Sequence, residues 1–158
     1  MKRSLLWLGL LAALALLVAA CGSDDRLSAE TYFASLEEVF DDAETRGEGL
    51  FEALGDQPDA EAVATFLVAE QELFSGARPD IAALSPPSEL AAAHKALLDA
   101  MDAAIDEIER ARETGTDSLE TFFDEADDVL EEFGRACATL QQLAEERGVD
   151  IALSCANE

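Results

Sequence analysis

The chain has one histidine, one tryptophan, one tyrosine, three cysteines and four prolines in 158 residues. Each scarcity removes a class of chemistry. His94 is the only imidazole, and Ala91 stands three residues before it, so the paired Glu-x-x-His motifs of a di-iron bundle cannot be built. The Cys-x-x-Cys-His signature of covalent haem attachment is absent. A haem held between His94 and Met101 fails as well. Both residues fall on one predicted helix, about 10 Å apart along its axis, and cannot take opposite faces of an iron. No serine or cysteine sits in a recognisable nucleophile elbow with a histidine partner. Asp124-Glu125-Ala126-Asp127-Asp128 lacks the spacing of a calcium loop and reads as a solvated helix face. The expectation is a chain that is not an enzyme and uses no cofactor and no metal.

Positive charge is also scarce. Ten Lys and Arg residues stand against 35 Asp and Glu, a formal charge of −25. Lys2 and Arg3 are two of the ten, and every acid lies after residue 20, so the chain from Cys21 onward carries −27. Such a surface repels phosphate backbones and anionic lipid headgroups, which excludes nucleic acid as a partner. Two readings of the acidity remain open. It keeps a protein soluble in a saline exterior, or it captures a basic or cation-bearing envelope partner or divalent ions.

Long apolar runs are missing everywhere except at the start. Met1-Lys2-Arg3-Ser4 is a short positive segment, and residues 5–20 are unbroken apolar sequence. These 16 residues fall short of the roughly 20 that span a bilayer and fit the core of a secretory signal peptide. The run ends Val18-Ala19-Ala20-Cys21-Gly22. This resembles the lipobox of bacterial lipoproteins, an aliphatic residue, two small residues and a cysteine. The resemblance implies that the Cys21 thiol receives a diacylglycerol and that cleavage occurs before it. An ordinary signal peptide or an uncleaved anchor is the competing reading. The expected organisation is a signal peptide over 1–20, a lipidated tether over 21–27 and a helical domain over 28–158. The protein would then be extracytoplasmic, held to the cell membrane or envelope by its lipid. Two or more acyl chains give stable anchoring, and the six residues 22–27 reach at most about 20 Å.

Beyond the leader the apolar residues recur with helical periodicity, and no stretch alternates with period two. Phe33, Phe40 and Leu54 interleave with Leu36, Ala43 and Leu50 as an a/d seam. Ser28 is a predicted N-cap with Leu27 and Tyr32 as a hydrophobic staple, and Gly47 on the seam marks a local weakness. Val63, Ala77 and Leu84 share one phase of the second segment, and Leu67, Phe74 and Ile81 the other. The register runs through Pro79, so one kinked helix is predicted. Ser85-Pro86-Pro87 is expected to break the chain and open the third helix, whose seam carries Leu90, Leu97 and Ala104 beside His94, Met101 and Ile108. Asp117 is the predicted cap of the fourth, with rows Leu119, Ala126, Phe133, Leu140 and Phe122, Val129, Ala136, Leu143. Gly148 is a C-terminal stop. Helices over 28–55, 58–84, 86–113 and 117–147 are matched in length and joined by short loops. That predicts an all-α, antiparallel up-down-up-down four-helix bundle, the alternative being a coiled-coil assembly in trans. The Leu84-Ser85-Pro86-Pro87 hinge before an amphipathic helix resembles that of uncharacterised Ala-rich helical lipoproteins of high-GC bacteria, which implies a bundle and no activity.

Once Cys21 is acylated, Cys137 and Cys155 remain, and an exported protein meets oxidising conditions. Cys137 lies about 16 Å back along the helix from Gly148, and the seven residues from Gly148 to Cys155 reach about 23 Å. The tail is thus expected to fold back and be stapled by a disulfide. The competing reading is a soft-metal site of both thiols and His94, which reflection through the Gly115-Thr116 loop places level with Cys137. A plainer reading of His94 is an imidazole hydrogen-bonded to a neighbour at the edge of the seam. Of the many acids, only Glu70 falls in a seam. It is expected level with Ala43, near Met101 and in reach of an ion pair with Arg46. Glu70 and His94 are the candidate ligand-binding residues. The leading functional expectation is a non-enzymatic, membrane-anchored binding or spacer module, met by a partner at its acidic faces or in a groove between helices. The alternative is a small-ligand or metal-ion-binding bundle.

Overall fold

The computed structural model describes residues 26–55 and 57–156; the expected signal peptide over 1–20 and the expected lipidation site Cys21 lie outside these residues. Four helices run α1 Ala29–Leu54, α2 Ala60–Ala83, α3 Ala91–Thr114 and α4 Leu119–Glu146, followed by a 3-10 turn at Ser154–Ala156. There is no strand among the described residues. The domain is an all-α four-helix bundle, as the heptad pattern predicts.

Helix starts follow local chemistry. Ser28 is extended and its Oγ accepts from the Thr31 amide at 3.2 Å, while its hydroxyl lies 2.9 Å from the Thr31 hydroxyl. Ser118 does the same with Thr121, at 3.2 Å and 2.9 Å. The cap of α4 is therefore Ser118, not Asp117: the helix starts at Leu119, so Ser118 holds the cap position and its Oγ takes the otherwise unpaired Thr121 amide. Asp59 caps α2 by accepting from the Ala62 amide at 2.9 Å.

The third helix begins five residues later than the hinge suggests. Proline biases the residue before it away from helical geometry, and neither Pro86 nor Pro87 offers an amide. The chain stays non-helical to Pro87 and turns at residues 88–90, with the Leu90 amide donating to Pro87 O at 2.9 Å. Helix follows from Ala91, without a side-chain cap. Pro79 lies inside a single α2, as the unbroken register predicts. Gly115 and Gly148 close α3 and α4 in left-handed conformations with φ of 73° and 70°. The amides of Thr116 and Val149 donate back to Ala111 O and Ala144 O, both at 3.0 Å, so orphan carbonyls at both ends are satisfied.

The core has two parts. The upper one holds Tyr32, Phe33, Leu36 and Phe40 of α1 against Ile81, Leu97, Met101 and Leu140. The fully buried Leu153 of the returning tail completes it. The lower one holds Val63, Phe66, Leu67, Ile108, Phe122 and Ala126. It contains no fully buried residue of α1, which offers only the half-buried Leu50 and Leu54. Four helices and a tail thus fill the upper half, whereas α1 meets the lower half only through partly buried or exposed side chains.

Packing runs α1 on α2, α2 on α3 and α3 on α4; the α4-to-α1 seam that would close the ring is at most marginal among the described residues. The 3-10 turn packs against both α1 and α4 instead. Cys155 is bonded to Cys137 with 5.8 Å between their Cα atoms. The tail is held further by Gln141, whose Nε2 donates to Ile151 O at 3.0 Å and whose Oε1 accepts from the Leu153 amide at 2.9 Å. Glu37 of α1 accepts from the Ala152 amide at 2.9 Å. The stapled tail therefore takes the place of the missing helix-to-helix seam at one end only.

Candidate ligand groove between α1 and α4

Below the tail the gap between α1 and α4 stays open. Two adjoining cavities occupy it, of about 780 Å³ and about 600 Å³. Glu70, Phe74, Phe51, Phe133 and Cys155 border both, so they form one groove. Its existence follows from side-chain volume. The α1 seam passes from Phe40 to Ala43 and Gly47, both bordering the groove, and α4 presents Gly134 and Ala138. A β-carbon added to Gly134 would meet nothing within 4 Å. Small residues on both banks leave space that no opposing side chain fills. A β-carbon added to Gly47 would make only an ordinary contact, 3.7 Å from Leu73 Cδ2 on α2.

The lining is aromatic. Phe51 packs on Phe66 with ring centroids 5.0 Å apart, and Phe74 meets Phe133 edge-on at 5.4 Å. Phe133 also touches Phe40 across the groove at 6.4 Å, where the banks come together below the tail. Phe51 and Phe123 keep 51% and 40% of their surface in solvent at the mouth. Two phenylalanines left so exposed beside an apolar cleft are more informative than scattered surface apolar residues. The banks are acidic: Glu44 and Glu48 of α1 border the smaller cavity, and Asp127 and Glu131 of α4 border the larger. Arg135 is the one basic residue that borders either cavity, and it pairs with Glu131 at 2.7 Å. Apolar walls around carboxylates concentrate negative potential.

Of the residues singled out from the sequence, Glu70 reaches the floor of this groove, where it borders both cavities. Arg46 points to Asp42 one turn back on its own helix, at 3.6 Å, because an i,i+4 partner is nearer than one across a helix interface. His94 lies elsewhere, in the upper core and 7% exposed. Its Nδ1 is 3.1 Å from the Tyr32 hydroxyl and the rings meet edge-on with centroids 5.8 Å apart. Burial lowers the His94 pKa and pushes the Tyr32 phenol up, so a neutral imidazole bonded to a neutral phenol suits this place. Cys137 is fully buried in the same cluster and is bonded to Cys155. Both thiols are consumed, so they do not join His94 as metal ligands. Among the described residues no group of three or more His, Cys, Asp or Glu is placed to hold a metal ion.

The sequence pattern overlooks Phe51, Phe66 and Phe123, which fall off the seams. Two adjacent phenylalanines at 122 and 123, only one of which can face the core, are the signal that could have found the mouth.

Comparison of the chain with family models, with curated proteins and with solved structures finds no match. No helix of the described residues is long and apolar enough to cross a membrane.

Proposed function

We propose that this chain is an envelope lipoprotein, tethered through a lipid on Cys21, whose bundle is a non-enzymatic binding module with the α1–α4 groove as its site. The observation that carries the reading is the groove itself. A four-helix bundle with a well-packed upper half leaves an aromatic-lined cleft in its lower half, of the size that small-ligand sites have.

The topology supports the arrangement. The Leu27 amide donates to Ser85 O at 2.8 Å, which ties the tether to the α2–α3 hinge at the upper end. A lipid on Cys21, six residues before Leu27, would hold the domain by that end and leave the groove in the other half. The charge of −27 keeps such a domain off anionic headgroups. Of the two ligand classes expected for a binding bundle, the groove favours an organic ligand over a metal ion, since the Cys137 and Cys155 thiols are joined to each other.

The test is to express the full chain in a bacterium, label it with radioactive palmitate and release it from the membrane fraction for native mass spectrometry. The reading expects label on the wild type and none on Cys21→Ala, together with an added mass that dissociates on activation. A protein left soluble and unlabelled would remove the anchor, and a bare mass from every preparation would remove the ligand.

A further inference from the structure

We propose that the groove is selective for a hydrophobic organic cation: an amine, quaternary ammonium or phosphonium centre carried on an apolar body. The proposal rests on the groove being a binding site, and adds the chemistry of what it takes.

Size favours a compact ligand. The larger cavity, at about 780 Å³, falls within the roughly 300–1,000 Å³ that such sites occupy. The stapled tail blocks the upper end, where Ser154 and Cys155 border the cavity, so the cleft is blind there and does not run through as a trough for a long helix. The walls select for an apolar body, since Phe51, Phe66, Phe74, Ile108 and Phe133 line the larger cavity.

Charge selects the sign. Carboxylates stand on both banks, at Glu44 and Glu48 on one side and Asp127 on the other, and Glu70 stands on the floor. The single bordering cation, Arg135, is engaged by Glu131. An anionic amphiphile of equal size meets the same apolar walls but is repelled by every bank. A cation gains the carboxylates and, in addition, the negative faces of the phenylalanine rings. A neutral apolar molecule gains only the walls.

Tetraphenylphosphonium and tetraphenylborate match in shape and differ in sign, and N-phenyl-1-naphthylamine is a neutral fluorescent probe of apolar sites. Each is titrated into the oxidised domain by calorimetry or fluorescence. Four proteins are compared: the wild type, Glu70→Gln, the double Glu44→Gln/Glu48→Gln and Gly134→Leu, which fills the cleft from a position with open space. The wild type is expected to bind the phosphonium stoichiometrically, at least tenfold more tightly than the borate. Both glutamine variants are expected to lose most of that preference while keeping the neutral probe, and Gly134→Leu to lose the phosphonium. Saturable binding of the neutral probe with no preference of sign overturns the cation proposal and leaves the binding site standing. Phosphonium bound equally by Gly134→Leu also overturns it, because the attraction then belongs to the general surface. Failure of all three probes overturns both the cation proposal and the groove as a site.

Discussion

Replacing Cys137 and Cys155 together by alanine tests how the tail is held. The bond joins residues 18 apart. In the chain-entropy treatment, closing a loop of that size removes about 11 cal/mol/K from the unfolded ensemble, which is about 3 kcal/mol at 25 °C. Other attachments survive the substitution. Leu153 stays fully buried, and Gln141 and Glu37 still hold the tail by three hydrogen bonds. The native state is therefore expected to keep its helical content while the unfolded state gains freedom. Alanine is the right replacement because Cys137 is fully buried, and a serine hydroxyl there would add a separate desolvation cost. The assay is urea unfolding followed by circular dichroism, on the oxidised wild type, the reduced wild type and the double variant. The two thiol-free or reduced forms are expected to agree and to lie about 3 kcal/mol below the oxidised protein, with a melting point lower by roughly 10 °C. Stability unchanged to within about 1 kcal/mol would refute the reasoning, since the tail would then contribute nothing as a closed loop.

The cap correction is expected to show as Ser118→Ala losing about 1 kcal/mol while Asp117→Ala stays near neutral, in the same unfolding assay. His94 has its pKa lowered by burial, so the unfolded chain takes up a proton at that site more readily than the folded one. Its contribution is fully present above the ordinary histidine pKa of about 6.5 and is lost as pH falls below it. The stability difference between wild type and His94→Gln is accordingly expected to shrink between pH 7.5 and pH 5, and a difference flat across that range would contradict the burial argument. Gly134→Leu is expected to stabilise α4 by about 1 kcal/mol through helix propensity, seen as a higher melting point; a lower one would show that the space at this position is not open.

Much of the fold is legible in the sequence because burial in a bundle is periodic. The seams of α1 and α4 name Phe33, Leu36, Phe40, Phe122, Ala126 and Leu140, all buried. The Pro79 register follows from spacing, and the stapled tail from spacing together with the expectation of an oxidising exterior. The late start of α3 is less legible, since proline is tolerated in a first turn and only the pair Pro86-Pro87 together holds the chain out of helix. The groove is hardest to read. It arises from what two helices distant in sequence both lack, at Ala43 and Gly47 on one and Gly134 and Ala138 on the other. A helix-by-helix pattern marks Gly47 as a weak point of α1 and gives no hint that it faces another gap. Glu70 is legible as an acid in a seam, yet its neighbours Phe51 and Phe123 are not, because they sit off the apolar rows. The Tyr32–His94 bond is half legible: one residue appears as a staple and the other as a seam histidine, and only their meeting inside the upper core joins them.

The most direct test of the groove is methyl NMR of the oxidised domain during titration with N-phenyl-1-naphthylamine. Shift changes should concentrate on the methyls of Ile108, Val129 and Leu130, which border the larger cavity, and leave those of Ile81 and Leu140 in the upper core in place. Changes spread evenly over both sets, or absent from both, would contradict a ligand site between α1 and α4.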